Sequence, residues 1–142
     1  MPHQVSVFAE NKPGKLSRIT EVLGKNNINI RAITISDTGD YGIIKLLLDK
    51  PVEGNEFLQN EGIASTLVSI VAIKIDDTPG GLHKATSIIS SKNINVEDAY
   101  GFTIKEQNHA VFVFQVKDVP STEKVLRDAG FSIISDNELY YL

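Results

Sequence analysis

The phrase Asn11-Lys12-Pro13-Gly14-Lys15-Leu16 returns as Asp77-Thr78-Pro79-Gly80-Gly81-Leu82. Each copy is followed by a helix-like run that ends in nearly the same words, Asn27-Ile28-Asn29-Ile30 and Asn93-Ile94-Asn95-Val96. The offset is 66 residues throughout, so the chain must fold as two copies of one unit rather than as one larger core. Over 142 residues this predicts two domains, 1–68 and 69–142. A unit of this size hides only about 60% of its chain surface and is marginal alone. Burial between the halves or between chains is therefore expected.

The first half reads strand, helix, strand, strand, helix, strand. Gln4–Glu10 alternates Val5, Val7 and Ala9 with Ser6, Phe8 and Glu10, the period of a strand. After the Pro-Gly loop, Leu16, Ile19 and Leu23 form a helical stripe, and the helix is predicted over Lys15–Lys25. Ile28–Ser36 and Tyr41–Asp49 read as strands about a turn at Asp37-Thr38-Gly39-Asp40. Pro51–Gly54 reads as a break, followed by a short helix at Asn55–Glu61 that Gly62 closes. Ile63–Ile75 holds no linker-like cluster, so the halves follow one another directly.

The second half repeats this order. It has a strand at Val71–Ile75, a helix at Gly81–Ser91, strands at Ile94–Lys105 and His109–Lys117, a helix opened by Pro120–Glu123 and ended by Gly130, and a last strand from Phe131. Two βαββαβ modules of α+β class follow, each an antiparallel sheet with its helices on one face, the ferredoxin-like arrangement. In Val111–Phe114 and Ile43–Leu48 both parities are largely apolar, which suits contact between sheets of the two halves or of two subunits.

Composition removes several function classes. A net charge of −4 with no basic patch argues against nucleic acid. No run of 18 apolar residues and no charged-then-apolar leader is present, so neither a membrane partner nor secretion is expected, and the protein is assigned to the cytoplasm. Zero cysteines exclude disulfides, thiolate metal sites and a thiol nucleophile. His3, His83 and His109 lie in unrelated elements, and Asp76 and Asp77 with His83 are the best acid–base grouping available. No nucleophile stands beside a base at recognisable spacing, so no enzyme activity, cofactor or metal site is expected.

Proline fixes φ and glycine lets the backbone pass close to a ligand before the helix starts, leaving helix N–H groups able to take a carboxylate. Asparagine oxygens can accept from an ammonium group. With these loops, the Asn-x-Asn-Ile segments and the βαββαβ order, each half resembles an ACT domain, the small-molecule sensing module of regulated enzymes in amino-acid metabolism. Across its length the chain is similar to stand-alone tandem ACT proteins. The resemblance implies a regulatory protein that binds an amino acid where the loop of one module meets the second strand of a neighbour, as a homodimer controlling an enzyme partner.

Carried onto this sequence, the implied ligand residues are Asn11, Lys12, Pro13, Gly14, Lys15, Leu16, Asn29 and Ile30. In the second half they are Asp77, Gly80, Gly81, Leu82, Asn95 and Val96. Asn29 also reads as a strand-start residue bonding its own backbone. Ala9 stands where serine-regulated phosphoglycerate dehydrogenases, similar in this segment, carry a histidine, which weighs against serine. Asp76 and Asp77 bring up to two negative charges to the second helix end, so the loop at Asn11–Leu16 is expected to be the main site and that at Asp77–Leu82 weaker or structural. Two other readings use the same fold. In an RNA-binding module Phe112 and Phe114 would stack on bases, and a purely protein-partner-binding module would have lost its amino-acid site.

Overall fold

The computed structural model describes residues 1–104 and 108–142. The chain divides into two compact units, one of His3–Val68 with Tyr141, the other of Met1–Pro2 and Ser69–Tyr140 with Leu142.

The first unit runs β1 (His3–Glu10), α1 (Lys15–Lys25), β2 (Ile30–Asp37), β3 (Tyr41–Leu48), α2 (Pro51–Asn60) and β4 (Ser65–Ser69). Its sheet order is β2-β3-β1-β4, with β3 antiparallel to both β1 and β2. Inward parity on β1 and β3 places Val5, Val7, Ile44, Leu46 and Leu48 against Ile19, Val22 and Leu23 of α1 and Leu58 of α2. At about 1.5–3 kcal/mol for each fully buried aliphatic side chain, this cluster is the main source of stability. α2 is seated closely, since a Cβ on Gly54 would come 2.5 Å from Leu48 Cδ1.

The words that repeat at the helix ends are stop signals. Asn27 takes φ 59°. Its N–H bonds the Gly24 carbonyl, and the Ile28 N–H reaches back to Leu23 at 2.9 Å, the paired bonds of a Schellman motif. Asn93, at φ 56°, ends the next long helix in the same way, with Ile94 N–H on the Ile89 carbonyl at 3.2 Å. α2 differs from expectation at its start. Pro51 does not break the pattern but occupies the first helical turn, where a missing N–H has no consequence, so the helix begins four residues earlier than Asn55.

The second unit runs β5 (Val71–Asp76), α3 (Gly81–Ser91), β6 (Asp98–Ile104), β7 (His109–Gln115), α4 (Val119–Asp128) and α5 (Asp136–Tyr140). Its sheet order is β5-β7-β6, both pairs antiparallel. Asp118 caps α4, its Oδ1 accepting the Ser121 N–H at 3.1 Å. The strand predicted at Ile94–Lys105 begins only at Asp98, because Asn93 and Ile94 complete the helix exit; Lys105 lies outside the described residues. The last strand is reduced to one bridge, Ile73 to Ile133. Its shortness has a local cause. Ser135 Oγ accepts the Glu138 N–H at 3.3 Å and donates to Glu138 Oε1 at 3.2 Å, an N-cap that turns the chain into α5.

The structure removes the base-stacking reading of Phe112 and Phe114. Both rings point to the helix side of the sheet and stack on each other at 5.0 Å inside the core, 8% and 1% exposed. Rings so enclosed have no face left for a nucleobase.

Candidate functional site

A cavity of about 590 Å³ in the first unit lies where β1 gives way to the Pro-Gly loop. Phe8, Ala9 and Glu10 end β1 on one side of it, and Pro13, Gly14, Lys15 and Arg18 bring the loop and the first turn of α1. Tyr41 comes from the start of β3, and Glu61–Ala64 from the turn between α2 and β4. Gly14 makes the turn with φ 92°, and no side chain caps α1. The first-turn N–H groups of a helix have no intrahelical partner, so they face this region as donors.

Charge in the cavity comes in both signs. Arg18 Nη2 bonds Glu61 Oε2 at 3.0 Å, using one of the five guanidinium donors. Lys12 Nζ holds Glu10 Oε2 at 3.0 Å. The Glu10 carboxyl lies below the usual carboxylate range, chiefly through that hydrogen bond from Lys12, then through the charges of Lys12 and Lys15. Phe8 and Tyr41 form a stacked pair on the cavity wall, ring centroids 5.0 Å apart and 14° from parallel.

The second unit has the equivalent depression at about 230 Å³, lined by Lys74, Ile75, Asp76, Gly81, Lys84, His109 and Gly130–Ser132. The register proves the equivalence: Glu10 pairs with Tyr41 and Asp76 with His109, while Phe8 N–H bonds Ala64 and Lys74 N–H bonds Ser132. Lysine and histidine thus replace the two rings. The second loop is also drawn in. Lys15 corresponds to Gly81, where a Cβ would run into the Asp76 carbonyl oxygen. Of the two acids, Asp76 lines the depression, its Oδ1 3.7 Å from His109 Nε2, and Asp77 does not.

The structure brings Pro13, Gly14 and Lys15 together at the cavity and places the other expected residues elsewhere. Asn11 is turned to the β2–β3 hairpin, where its Nδ2 donates to Asp37 Oδ1 at 2.9 Å. Lys12 bonds Glu10, and Leu16 is exposed. Asn29 donates its N–H to the Asp49 side-chain Oδ1 at 2.9 Å and accepts the Asp49 N–H on its carbonyl at 3.1 Å, beside Ile30 at the start of β2. These two lie near the far end of α1, about 16 Å along an eleven-residue helix, so one module alone does not join loop and second strand.

The second set is spread in the same way. Gly81 lines the 230 Å³ depression, Leu82 a separate apolar one of about 350 Å³, and Asn95 with Val96 a third of about 260 Å³ at the C-terminal end of α3. Asp77 and Gly80 are exposed loop residues. Sequence reasoning missed Phe8, Arg18, Tyr41 and Glu61. Arg18 carried a usable signal, being one helical turn beyond Gly14, and Phe8 stood at an outward parity of β1. Among the described residues no group of three His, Cys, Asp or Glu side chains could hold a metal ion, and no helix is long and apolar enough to cross a membrane.

Two βαββαβ-like modules with antiparallel sheets define a chain of the ferredoxin-like fold class. Residues 1–142 match the ACT domain pair family, and the chain belongs to it. Protein BT0572 from Bacteroides thetaiotaomicron is similar in structure, with a TM-score of 0.93 and 30% identity over 99% of this chain and 96% of that one. The ligand-free regulatory subunit of aspartate kinase from Thermus thermophilus gives 0.65 with 15% identity over 90% and 92% of the two chains. The corresponding subunit from Thermus flavus gives 0.58 with 15% identity over 89% and 91%. No curated protein matches.

Proposed function

We propose that this ACT pair, with modules at 1–68 and 69–142, is a cytoplasmic, non-catalytic sensor of a free α-amino acid. The observation that carries the reading is the 590 Å³ cavity at the first Pro-Gly loop, where Lys15 and Arg18 stand with Glu10 and Glu61. A zwitterion needs both signs within one small space. The carboxylate goes to the cations and to the first-turn N–H groups of α1, and the ammonium to a carboxylate. The narrower second loop, closed by Gly81 on the Asp76 carbonyl, supports unequal sites, with Asn11–Leu16 the stronger and Asp77–Leu82 the weaker.

Asn29 and Ile30 join the site only if a neighbouring module supplies them, which favours a homodimer as the working form. Ile33 and Ile35, exposed at 43% and 52% on the edge strand β2, support such an assembly. A regulated enzyme is the partner class to test first, since the two similar Thermus proteins are regulatory subunits of aspartate kinase.

The test is a thermal-shift screen of the purified chain against the twenty amino acids, because a ligand selective for the folded state raises stability by RT ln(1 + [L]/Kd). Calorimetry with the best ligand on wild type, Arg18→Ala and Lys84→Ala, matching cations that line the two cavities, then compares the loops. A screen in which no amino acid raises the midpoint ends the sensor reading. Binding lost in Lys84→Ala but kept in Arg18→Ala reverses the assignment of the loops, and sedimentation at the monomer mass of 15.6 kDa removes the dimer.

A further inference from the structure

We propose that the amino acid held in the first cavity carries an aromatic side chain, which lies on the Phe8–Tyr41 pair; this rests on the amino-acid reading above. The two rings are 54% and 46% exposed, although they are among the largest apolar groups of the unit. A stacked pair across strands strengthens a sheet edge, and that role alone would account for the contact between the rings. It does not account for their place. Both residues line the cavity that Lys15, Arg18, Glu10 and Glu61 also line, and both rings are open to solvent.

The second unit shows that this register does not require rings. Lys74 and His109 stand at the matching positions, and the β5–β7 ladder forms with the same pairing of neighbours. The aromatic wall therefore belongs to the first cavity and not to the fold.

The space beyond Phe8 suits a flat apolar group. A second depression of about 330 Å³ shares Phe8 and Ala64 with the first and is otherwise bounded by Ser6, Val7, Ile43, Ser65 and Thr66, its surface mostly apolar. An amino acid whose charged head sits by Lys15 and Glu10 can thus pass its side chain over the Phe8 ring into an apolar recess. Offset stacking suits ring centroids about 4.5–7 Å apart, a range the present pair already satisfies. A short polar side chain would leave the recess to water, and a lysine-like one would put a cation among apolar groups.

Titration calorimetry on the full chain compares free phenylalanine, tyrosine and tryptophan with alanine, serine and lysine, for wild type, Phe8→Ala and Phe8→Lys. The last variant installs the residue that the second unit carries at this position. Aromatic ligands should bind wild type about tenfold or more tightly than alanine, and in both variants the ratio of the two affinities should fall to near one. Tyr41→Leu, which retains apolar area without a flat ring, gives the same loss should a Phe8 variant unfold. Equal affinity for alanine and phenylalanine, or an aromatic preference that survives Phe8→Lys, overturns the proposal and leaves the sensor standing. If none of the six ligands binds, this proposal fails, and the screen against all twenty amino acids decides the sensor reading separately.

Discussion

Gly81→Ala tests how the second Pro-Gly loop is closed. A Cβ at this position would run into the Asp76 carbonyl oxygen and stand 3.1 Å from its carbonyl carbon. Asp76 cannot step aside as the end of a flexible side chain would, because it is fixed in β5 opposite His109. Overpacking costs about 1–3 kcal/mol where neighbours yield, and a rigid backbone neighbour puts the expected loss at the upper end, about 3 kcal/mol. At roughly 4–8 °C per kcal/mol for a unit of this size, the thermal midpoint of the second unit falls by about 12–24 °C. Two companion variants isolate the collision from backbone strain. Gly14→Ala and Gly80→Ala meet nothing within 4 Å, but they sit at φ 92° and 82°. Each should lose only the left-handed penalty of about 1–2 kcal/mol. Urea unfolding followed by far-ultraviolet dichroism gives the three values on one scale. If Gly81→Ala lies within 1 kcal/mol of Gly80→Ala, loop closure on Asp76 is wrong, and so is the cause assigned to the smaller second cavity.

Three further outcomes follow from particular contacts. Leu58→Ala, at a fully buried position in the first core, should lose about 2–5 kcal/mol in the same urea assay, most of it through the cavity left under α2. Asp118→Ala should lose about 1 kcal/mol by freeing the Ser121 N–H, and a change within error would show that the cap is dispensable. Burial, then the Asp98 carboxylate, pushes the Tyr100 phenol above its usual range. A raised folded pKa favours the native state below the unfolded value of about 10 and is lost above it, so wild type should lose more stability than Tyr100→Phe as pH rises past about 10. Parallel alkaline profiles for the two proteins would contradict this.

The fold was legible because its punctuation is local. Pro13-Gly14 and Pro79-Gly80 open helices, Asn27 and Asn93 end them by taking left-handed backbone, and Gly62 and Gly130 do the same for α2 and α4. None of these needs a distant partner. The errors came from two-sided signals. Pro51 both breaks a preceding segment and begins a helix, and Ser135-Asp136-Asn137-Glu138 cuts a strand whose apolar residues Phe131, Ile133 and Ile134 announced it. The cavity was only half visible. Pro13–Lys15 carried a sequence signature, but Tyr41 and Glu61 arrive through strand pairing and the α2–β4 turn, and no periodicity tells which exposed aromatic will face which acid.

The single bridge at Ile73–Ile133 gives the two halves different folding problems. In the first, β4 must come from the far end of the unit to lie beside β1, a pairing of large sequence separation. Sheets closed by such distant contacts form slowly, since chain entropy is lost before the contacts repay it. The second half replaces that closure with a bridge and a few flanking bonds, and its remaining ladders join β6 to β7 and, across α3 and β6, β5 to β7. Synthesis runs from the first residue onward, so the half that emerges first from the ribosome is the one with the longer conformational search.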